Sequence, residues 1–345
     1  MRVLTVVGAR PQFIKAAVVS PRLREVAEEV LVHTGQHYDR ELSAVFFDEL
    51  ELARPDYELG VGSAEAAVQT GRMLEALAPI VAAVRPDWVL VYGDTNSTLA
   101  GALAAAQAKV PLAHVEAGLR SYDRTMPEEI NRVVADHLAT ALYCPTPHAV
   151  ENLRREGIER GVVLSGDVMA VALRRIPPDP EVLARWDLVP GGYYLVTVHR
   201  AANTDDRERL GGIVAGLGAL PGPVVWPVHP RAQARLSAFA LPLPPNLRLI
   251  PPVGYRAMIT LEGAARAVLT DSGGVQREAA WLGVPVYILR EETEWRELLE
   301  SGQAVLTGTD PARIAAAVQA GAAVGRPAPP TDDPVTAIVE DLRRR

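Results

Sequence analysis

Trp88-Val89-Leu90-Val91-Tyr92 is an unbroken apolar run. Gly93-Asp94-Thr95 interrupts it, the Ala-rich stretch Ser97–Ala108 follows, and Leu112–Val115 begins a second short run. A run without polar alternation reads as a strand covered on both faces. Two such runs joined through a helix-length segment read as a crossover in a parallel sheet. The rhythm recurs along the chain. Further strand candidates are Val3–Val7, Val30–His33, Leu142–Cys144, Val162–Leu164, Tyr194–Val198, Val224–Val228, Leu247–Ile250, Ala267–Thr270, Val286–Leu289 and Ala304–Leu306. Helical stretches fall at Ala64–Ala83, Pro127–Ala141, His148–Glu156, Arg207–Leu220, Gly254–Gly263, Val275–Leu282 and Arg290–Ser301.

The composition breaks once, at Arg174-Arg175-Ile176-Pro177-Pro178-Asp179-Pro180. Prolines this dense exclude a helix interior or a central strand, which places an interdomain hinge near 168–180. About six strands lie on either side. The expectation is an α/β chain of two doubly wound domains facing a cleft, residues 1–170 and 171–333. The Pro-rich stretch Arg326–Pro330 then leads a last helix, 334–345, back toward the first domain.

Length and composition agree with this organisation. At roughly 150 residues per domain, 345 residues suggest two domains, and 48% apolar residues can fill two cores. The net charge of −7 argues against a nucleic-acid binder, whose footprint is usually basic. It leaves room for a small anion held by a few local cations. Only two of the 35 cationic residues, Lys15 and Lys109, are lysines, which makes a lysine in a loop worth inspecting. Cys144 is the only cysteine, so no internal disulfide or multi-cysteine metal site is expected. No apolar stretch approaches the ~20 residues of a membrane span, and Val3–Val7 is too short for a secretory signal. The expected setting is therefore soluble and cytoplasmic.

In doubly wound sheets, ligands bind beyond the carboxyl ends of the strands, and several loops there carry chemistry. Thr270-Asp271-Ser272-Gly273-Gly274-Val275-Gln276-Arg277-Glu278 joins a strand to a helix. Gly273 and Gly274 let backbone approach a ligand, Ser272 adds a hydroxyl, and the helix start favours an anion. Glu278, about one turn on, can accept from two sugar hydroxyls, which suggests a diphosphate-plus-ribose site; an ordinary Ser/Gly cap accounts for the same residues. Gly8-Ala9-Arg10-Pro11 opens another helix, and Arg10 and Lys15 there can meet a phosphate or a developing negative charge. Asp94, Glu116 and Glu128 follow successive strands and can supply an acid and a base on opposite faces of a sugar. Asp94 can equally cap a helix, and Glu128 and Glu129 complement a helix dipole. His199 and His229 each follow a strand of the second half; the seven histidines lack metal-site spacing.

Taken together, these segments resemble the non-hydrolysing UDP-N-acetylglucosamine 2-epimerase family. The likeness runs from Gly8-Ala9-Arg10-Pro11 to Gly308-Thr309-Asp310. It includes Thr34-Gly35-Gln36-His37, Gly93-Asp94-Thr95, His114-Val115-Glu116-Ala117-Gly118-Leu119-Arg120, Pro127-Glu128-Glu129-Ile130-Asn131-Arg132, Val198-His199-Arg200 and the Asp271–Gly274 loop. The resemblance implies a glycosyltransferase-B fold, two Rossmann-like domains with a UDP-sugar between them, and usually a homodimer. It also implies chemistry without metal or NAD: UDP leaves by anti elimination across C1–C2 and is added back after the C2 proton is replaced from the other face. By that likeness Asp94, Glu116 and Glu128 are the catalytic acids and His199 the cleft histidine. Arg10 and Lys15 form the cationic pair, with His229 a further substrate contact. Ser272, Gly273 and Gly274 hold the diphosphate, and Glu278 the ribose.

Four departures stand out. Arg290-Glu291-Glu292-Thr293-Glu294-Trp295-Arg296-Glu297 carries Trp295 where the family usually places a ligand-pocket arginine. The segment 120–127 is shorter than its counterpart in the typical enzymes. Both features look more like the branch acting on UDP-2,3-diacetamido-2,3-dideoxy-glucuronic acid. Ala202 in His199-Arg200-Ala201-Ala202-Asn203 breaks the pattern of both branches. Tyr38 and Asp39 replace the Arg and Gln common in allosterically regulated relatives.

Overall fold

A computed structural model describes residues 1–36, 47–322 and 333–345. The chain divides into two compact units, Met1–Ile176 with Pro330–Arg345, and Pro177–Pro329.

The first unit is built on β1 (Arg2–Val7), β2 (Glu28–His33), β3 (Tyr57–Glu58), β4 (Trp88–Tyr92), β5 (Leu112–Val115), β6 (Ala141–Cys144) and β7 (Val162–Leu164). All pairs are parallel, in the order β3-β2-β1-β4-β5-β6-β7. Leu4 sits beside Val30 on one side and Val89 on the other. Both are wholly apolar central positions, because helices cover the two faces. The Ala-rich helix Asn96–Gln107 buries Ala100, Ala102, Ala104 and Ala105. Side chains this small let it lie close on the sheet among Val6, Val89 and Val91.

In the second unit β8 (Tyr194–Thr197), β9 (Val224–Pro227), β10 (Leu247–Ile250), β11 (Ala267–Thr270), β12 (Val286–Ile288) and β13 (Ala304–Leu306) are also all parallel. Their order, β10-β9-β8-β11-β12-β13, is the doubly wound Rossmann order. Its core gathers Val196, Trp226, Leu269, Leu217 and Ile314. Each sheet reverses direction at one switch point, β1/β4 in the first and β8/β11 in the second, where ligands are expected.

The structure departs from the sequence reading in several places. Strand β3 went unanticipated, since its two residues are exposed and carry no apolar run. The first unit continues to Ile176 rather than ending near 170. Val168–Arg175 is a helix, capped by Asp167 accepting from the Met169 N–H at 2.8 Å, and it packs on the helix Arg10–Arg24. The helix expected over Arg290–Ser301 is confined to Arg296–Glu300. The helix Pro334–Arg344 belongs to the first unit: it buries Val335, Ile338, Val339 and Leu342, and Asp341 accepts from the Tyr143 hydroxyl at 3.0 Å. Among the described residues, no helix is long and apolar enough to cross a membrane.

Candidate active site

At the first switch point, the helix Arg10–Arg24 starts directly after β1. Pro11 sits in its first turn, where a missing N–H costs nothing. Gln12 ties this start to the neighbouring strand. Its carbonyl accepts from Gly8 and Ala9 N–H at 2.8 and 3.1 Å, and its amide donates to the Tyr92 carbonyl at 2.9 Å and Thr98 at 3.0 Å. Arg10 is half-buried, whereas Lys15, one turn further, is buried. The Lys15 ammonium pairs with Glu116.

Glu116 follows β5 with φ of 72°, the left-handed region that a residue with a Cβ rarely occupies. Two hydrogen bonds hold it there: the Glu116 and Ala117 N–H groups both donate to the Tyr143 carbonyl, at 3.0 and 3.1 Å. Gly93, after β4, is left-handed too (φ 62°), and a Cβ on it would stand 3.3 Å from Lys15 Nζ. The backbone is thus shaped to seat one ammonium among carboxylates. Burial pushes the Glu116 carboxyl up and Lys15 pulls it back, while Asp167 and Asp94 push it up again; the result lies above the usual range. For Lys15, burial is outweighed by Glu116, Asp167 and Asp94, so its proton is held more tightly than usual.

Asp94 is paired with Arg132, and its carbonyl accepts from Asn131 at 2.9 Å. Both partners lie on the helix Pro127–Leu138, whose first turn carries Glu128 and Glu129. These neighbours differ. Glu129 is buried and accepts from Ser121 N–H at 2.9 Å and Tyr122 N–H at 3.0 Å, so it fixes the preceding loop. Glu128 is half-buried on the same first turn.

The second switch point is arranged differently. Asp271, buried after β11, accepts from His199 N–H at 3.2 Å, Arg200 N–H at 3.1 Å and Asn203 at 3.1 Å. Its carboxylate also lies 3.1 Å from Nδ1 of His199, whose side chain is 48% exposed. Burial raises the proton affinity of Asp271, but the His199 ring and the Arg200 N–H overcome it and hold the carboxyl below its usual range. An ionised carboxylate at Nδ1 turns Nε2 of His199 outward. His229 caps the helix Pro230–Ala238, its Nδ1 accepting from Arg231 N–H at 3.3 Å. Burial lowers its proton affinity, and His199 and Arg231 lower it further.

Ser272 precedes the helix Gly273–Trp281 and its hydroxyl makes no cap bond, so the first-turn N–H groups are those an anion would take. A Cβ on Gly273 would stand 2.3 Å from Glu294 Oε1, while one on Gly274 would meet nothing within 4 Å. Glu278 is buried in the second turn. Trp295 is not a pocket residue. It is 3% exposed and donates from Nε1 to the Gly273 carbonyl at 2.9 Å. Arg277 lies over its ring at 4.2 Å and over Trp281 at 4.6 Å. The tryptophan braces the glycine loop from behind.

The first unit therefore brings together Lys15, Glu116 and Asp94, with Arg10 and Glu128 at helix starts; the second brings His199 near His229 and sets Ser272, Gly273, Gly274 and Glu278 along one helix start. Arg132, Asp167 and Asp271 received no role from sequence. Arg132 and Asp271 stood inside quoted motifs, whereas Asp167, which caps the helix Val168–Arg175, stood in none. Tyr38 and Asp39 lie outside the described residues.

Comparison with known proteins completes the description. Residues 22–327 match the model of the UDP-N-acetylglucosamine 2-epimerase family. A UDP-N-acetylglucosamine 2-epimerase homolog of Methanococcus maripaludis is 48% identical over 91% of this chain and 90% of its own. The UDP-2,3-diacetamido-2,3-dideoxy-D-glucuronate 2-epimerase of Pseudomonas aeruginosa is 46% identical over 89% and 88%. The crystal structure of Methanocaldococcus jannaschii UDP-GlcNAc 2-epimerase in complex with UDP-GlcNAc and UDP superposes with a TM-score of 0.94 at 38% identity, covering both chains fully. The calicheamicin glycosyltransferase CalG4 shares the fold alone, at 17% identity and a TM-score of 0.51. The matched model and relatives span nearly the whole chain, and the chain belongs to the UDP-N-acetylglucosamine 2-epimerase family.

Proposed function

We propose that this chain is an isomerase, a non-hydrolysing UDP-N-acetylglucosamine 2-epimerase interconverting the gluco and manno epimers. The observation that carries this reading is the buried Lys15–Glu116 pair beside Asp94. A carbon acid needs a positioned base on one face and an acid on the other. Glu116, whose proton affinity burial raises against the pull of Lys15, can serve as the base or acid, while Asp94, paired to Arg132, and Glu128 offer further carboxyls. One carboxylate removes the C2 proton as the C1–O bond breaks and UDP departs, leaving a C1=C2 glycal. A proton then returns to C2 from the other face, and UDP adds back to C1. Arg10, Lys15 and His199 meet the charge on the leaving diphosphate. The helix start at Ser272, Gly273 and Gly274 grips it, and Glu278 takes the ribose hydroxyls. The proposal includes a cytoplasmic homodimer making precursors for cell-surface polysaccharide, with no metal or NAD in the reaction.

A second reading, the 2-epimerase of UDP-2,3-diacetamido-2,3-dideoxy-glucuronic acid, is favoured by the 46% identity to the Pseudomonas enzyme and by Trp295. Incubating the enzyme with each sugar in deuterium oxide distinguishes the two. Deuterium should enter C2 of the true substrate with UDP retained. Absence of exchange with both would sink epimerisation, and net release of UDP would point to a hydrolase or glycosyltransferase on the same scaffold.

A further inference from the structure

His114, Arg120 and Asp136 are buried charge-bearing side chains of the first unit with no part in the proton transfers above. His114 is fully enclosed within β5. Its Nδ1 lies 2.7 Å from Asp136 Oδ1, and its Nε2 lies 2.7 Å from the Gly93 carbonyl oxygen. A carbonyl oxygen can only accept. Asp136 is an acceptor as well, because its carboxylate is ion-paired with the permanently charged Arg120 guanidinium. Its Oδ2 already takes the Gly118 N–H at 3.1 Å and Arg120 Nη1 at 2.6 Å. Both ring nitrogens therefore face acceptors, and a neutral imidazole has only one N–H.

We propose that His114 is a positioning residue held as a doubly protonated imidazolium, which clamps the Gly93 carbonyl and so sets the direction of the next residue, Asp94. The proposal rests on the reading of Asp94 as catalytic. Gly93 is secured from both ends, because its own N–H donates to the Val115 carbonyl at 2.9 Å. Behind the histidine the charges alternate. Asp136 answers His114, Arg120 answers Asp136, and the remaining face of Arg120 grips Glu156 through Nε and Nη2, each at 2.7 Å. Two cations and two anions leave the buried row neutral, which is the condition under which charges are tolerated inside a protein. The row starts at the half-exposed Glu156 and ends on the peptide that carries Asp94. It thereby links the β4 and β5 loops, whose acids must keep a fixed separation across a sugar ring.

The test combines spectroscopy and kinetics on the full chain. With histidine-15N label, long-range proton–nitrogen correlation at pH 7.5, assigned by loss of the signal in His114→Gln, should show both ring nitrogens of His114 protonated. One bare nitrogen would overturn the proposal, whatever the enzyme's activity. Asp136→Asn keeps the shape of the counter-ion and removes its charge. It should lower kcat for C2 exchange about tenfold or more, with KM and UDP affinity within about twofold. An equal loss of UDP affinity would mark general damage, and unchanged kcat would remove the positioning role. If Asp94→Asn is as active as the parent, the catalytic reading of Asp94 fails separately, while the ring protonation still decides the state of His114.

Discussion

The two switch points occupy the same place in two sheets of the same order, yet they are built from opposite materials. At β1/β4 the loops are filled with side-chain charge: Lys15 seated against Glu116, and Asp94 against Arg132. At β8/β11 the loop offers backbone, the uncapped helix start after Ser272, with one acid, Asp271, turned inward to hold a histidine. Side-chain acids move protons, whereas backbone N–H groups hold a charge that stays charged throughout. On the proposed function one topology serves chemistry in one unit and anchorage in the other, and damage to each should read out differently.

The largest separation is expected from Lys15→Met. Removing the buried ammonium leaves Glu116, Asp94 and Asp167 facing one another. C2 deuterium exchange should fall by about a thousandfold or more, while UDP affinity by calorimetry falls far less, by about tenfold at most. A parallel loss of UDP binding would erase the division of labour. Lys15→Arg sharpens the point: a wide planar guanidinium on this buried site cannot reproduce a compact ammonium, so exchange should be lost nearly as fully.

Asp271→Asn comes next, because it frees His199 to turn. Exchange should drop about ten- to a hundredfold. The same substitution has a pH signature. A carboxyl held below its usual value contributes stability that is complete above about pH 4 and vanishes as pH falls through the lower folded value. The variant should therefore melt lower at pH 7 and lose less stability than the parent on acidification below pH 4. Equal acid sensitivity in parent and variant would contradict the ionised Asp271–His199 pair.

Gly273→Ala should act on anchorage first. The added methyl drives against Glu294, the loop shifts, and UDP affinity should fall about tenfold, a cost of about 1.4 kcal/mol. Unchanged UDP affinity would show that the loop does not hold the diphosphate. The smallest effect belongs to Trp295→Phe, which keeps the stacking on Arg277 and loses the bond to the Gly273 carbonyl. Stability should fall by about 1 kcal/mol with UDP affinity reduced only a few-fold, measured by thermal melting and calorimetry. A loss larger than that of Gly273→Ala would return Trp295 to the ligand pocket.

Much of the fold could be read directly, because parallel strands covered on both faces are written as apolar runs: Trp88–Tyr92, Leu112–Val115 and Ala267–Thr270 carry the expected limits. Tyr57–Glu58 could not be read, being an exposed edge whose pairing depends on β2. The helix Val168–Arg175 was obscured by the prolines immediately beyond it. Within the site, loops at strand ends identified Asp94 and Glu116, whose types match the chemistry. Arg132, Asp167 and Asp271 act through partners 38, 152 and 72 positions away in sequence, and no local pattern announces such a meeting. The place of Trp295 was illegible for the same reason: substitution at a family position says what is absent, and packing alone says where the new ring goes.

The helix Pro334–Arg344 has a consequence for how the molecule is made. A ribosome delivers the chain from its amino end, and domains tend to fold as they emerge. Here the first unit emerges without the helix that shields Tyr143 and the surfaces of Arg10–Arg24 and Val168–Arg175. It must wait through the synthesis of the entire second unit before its last piece arrives. The half that carries the acids is thus begun first and finished last.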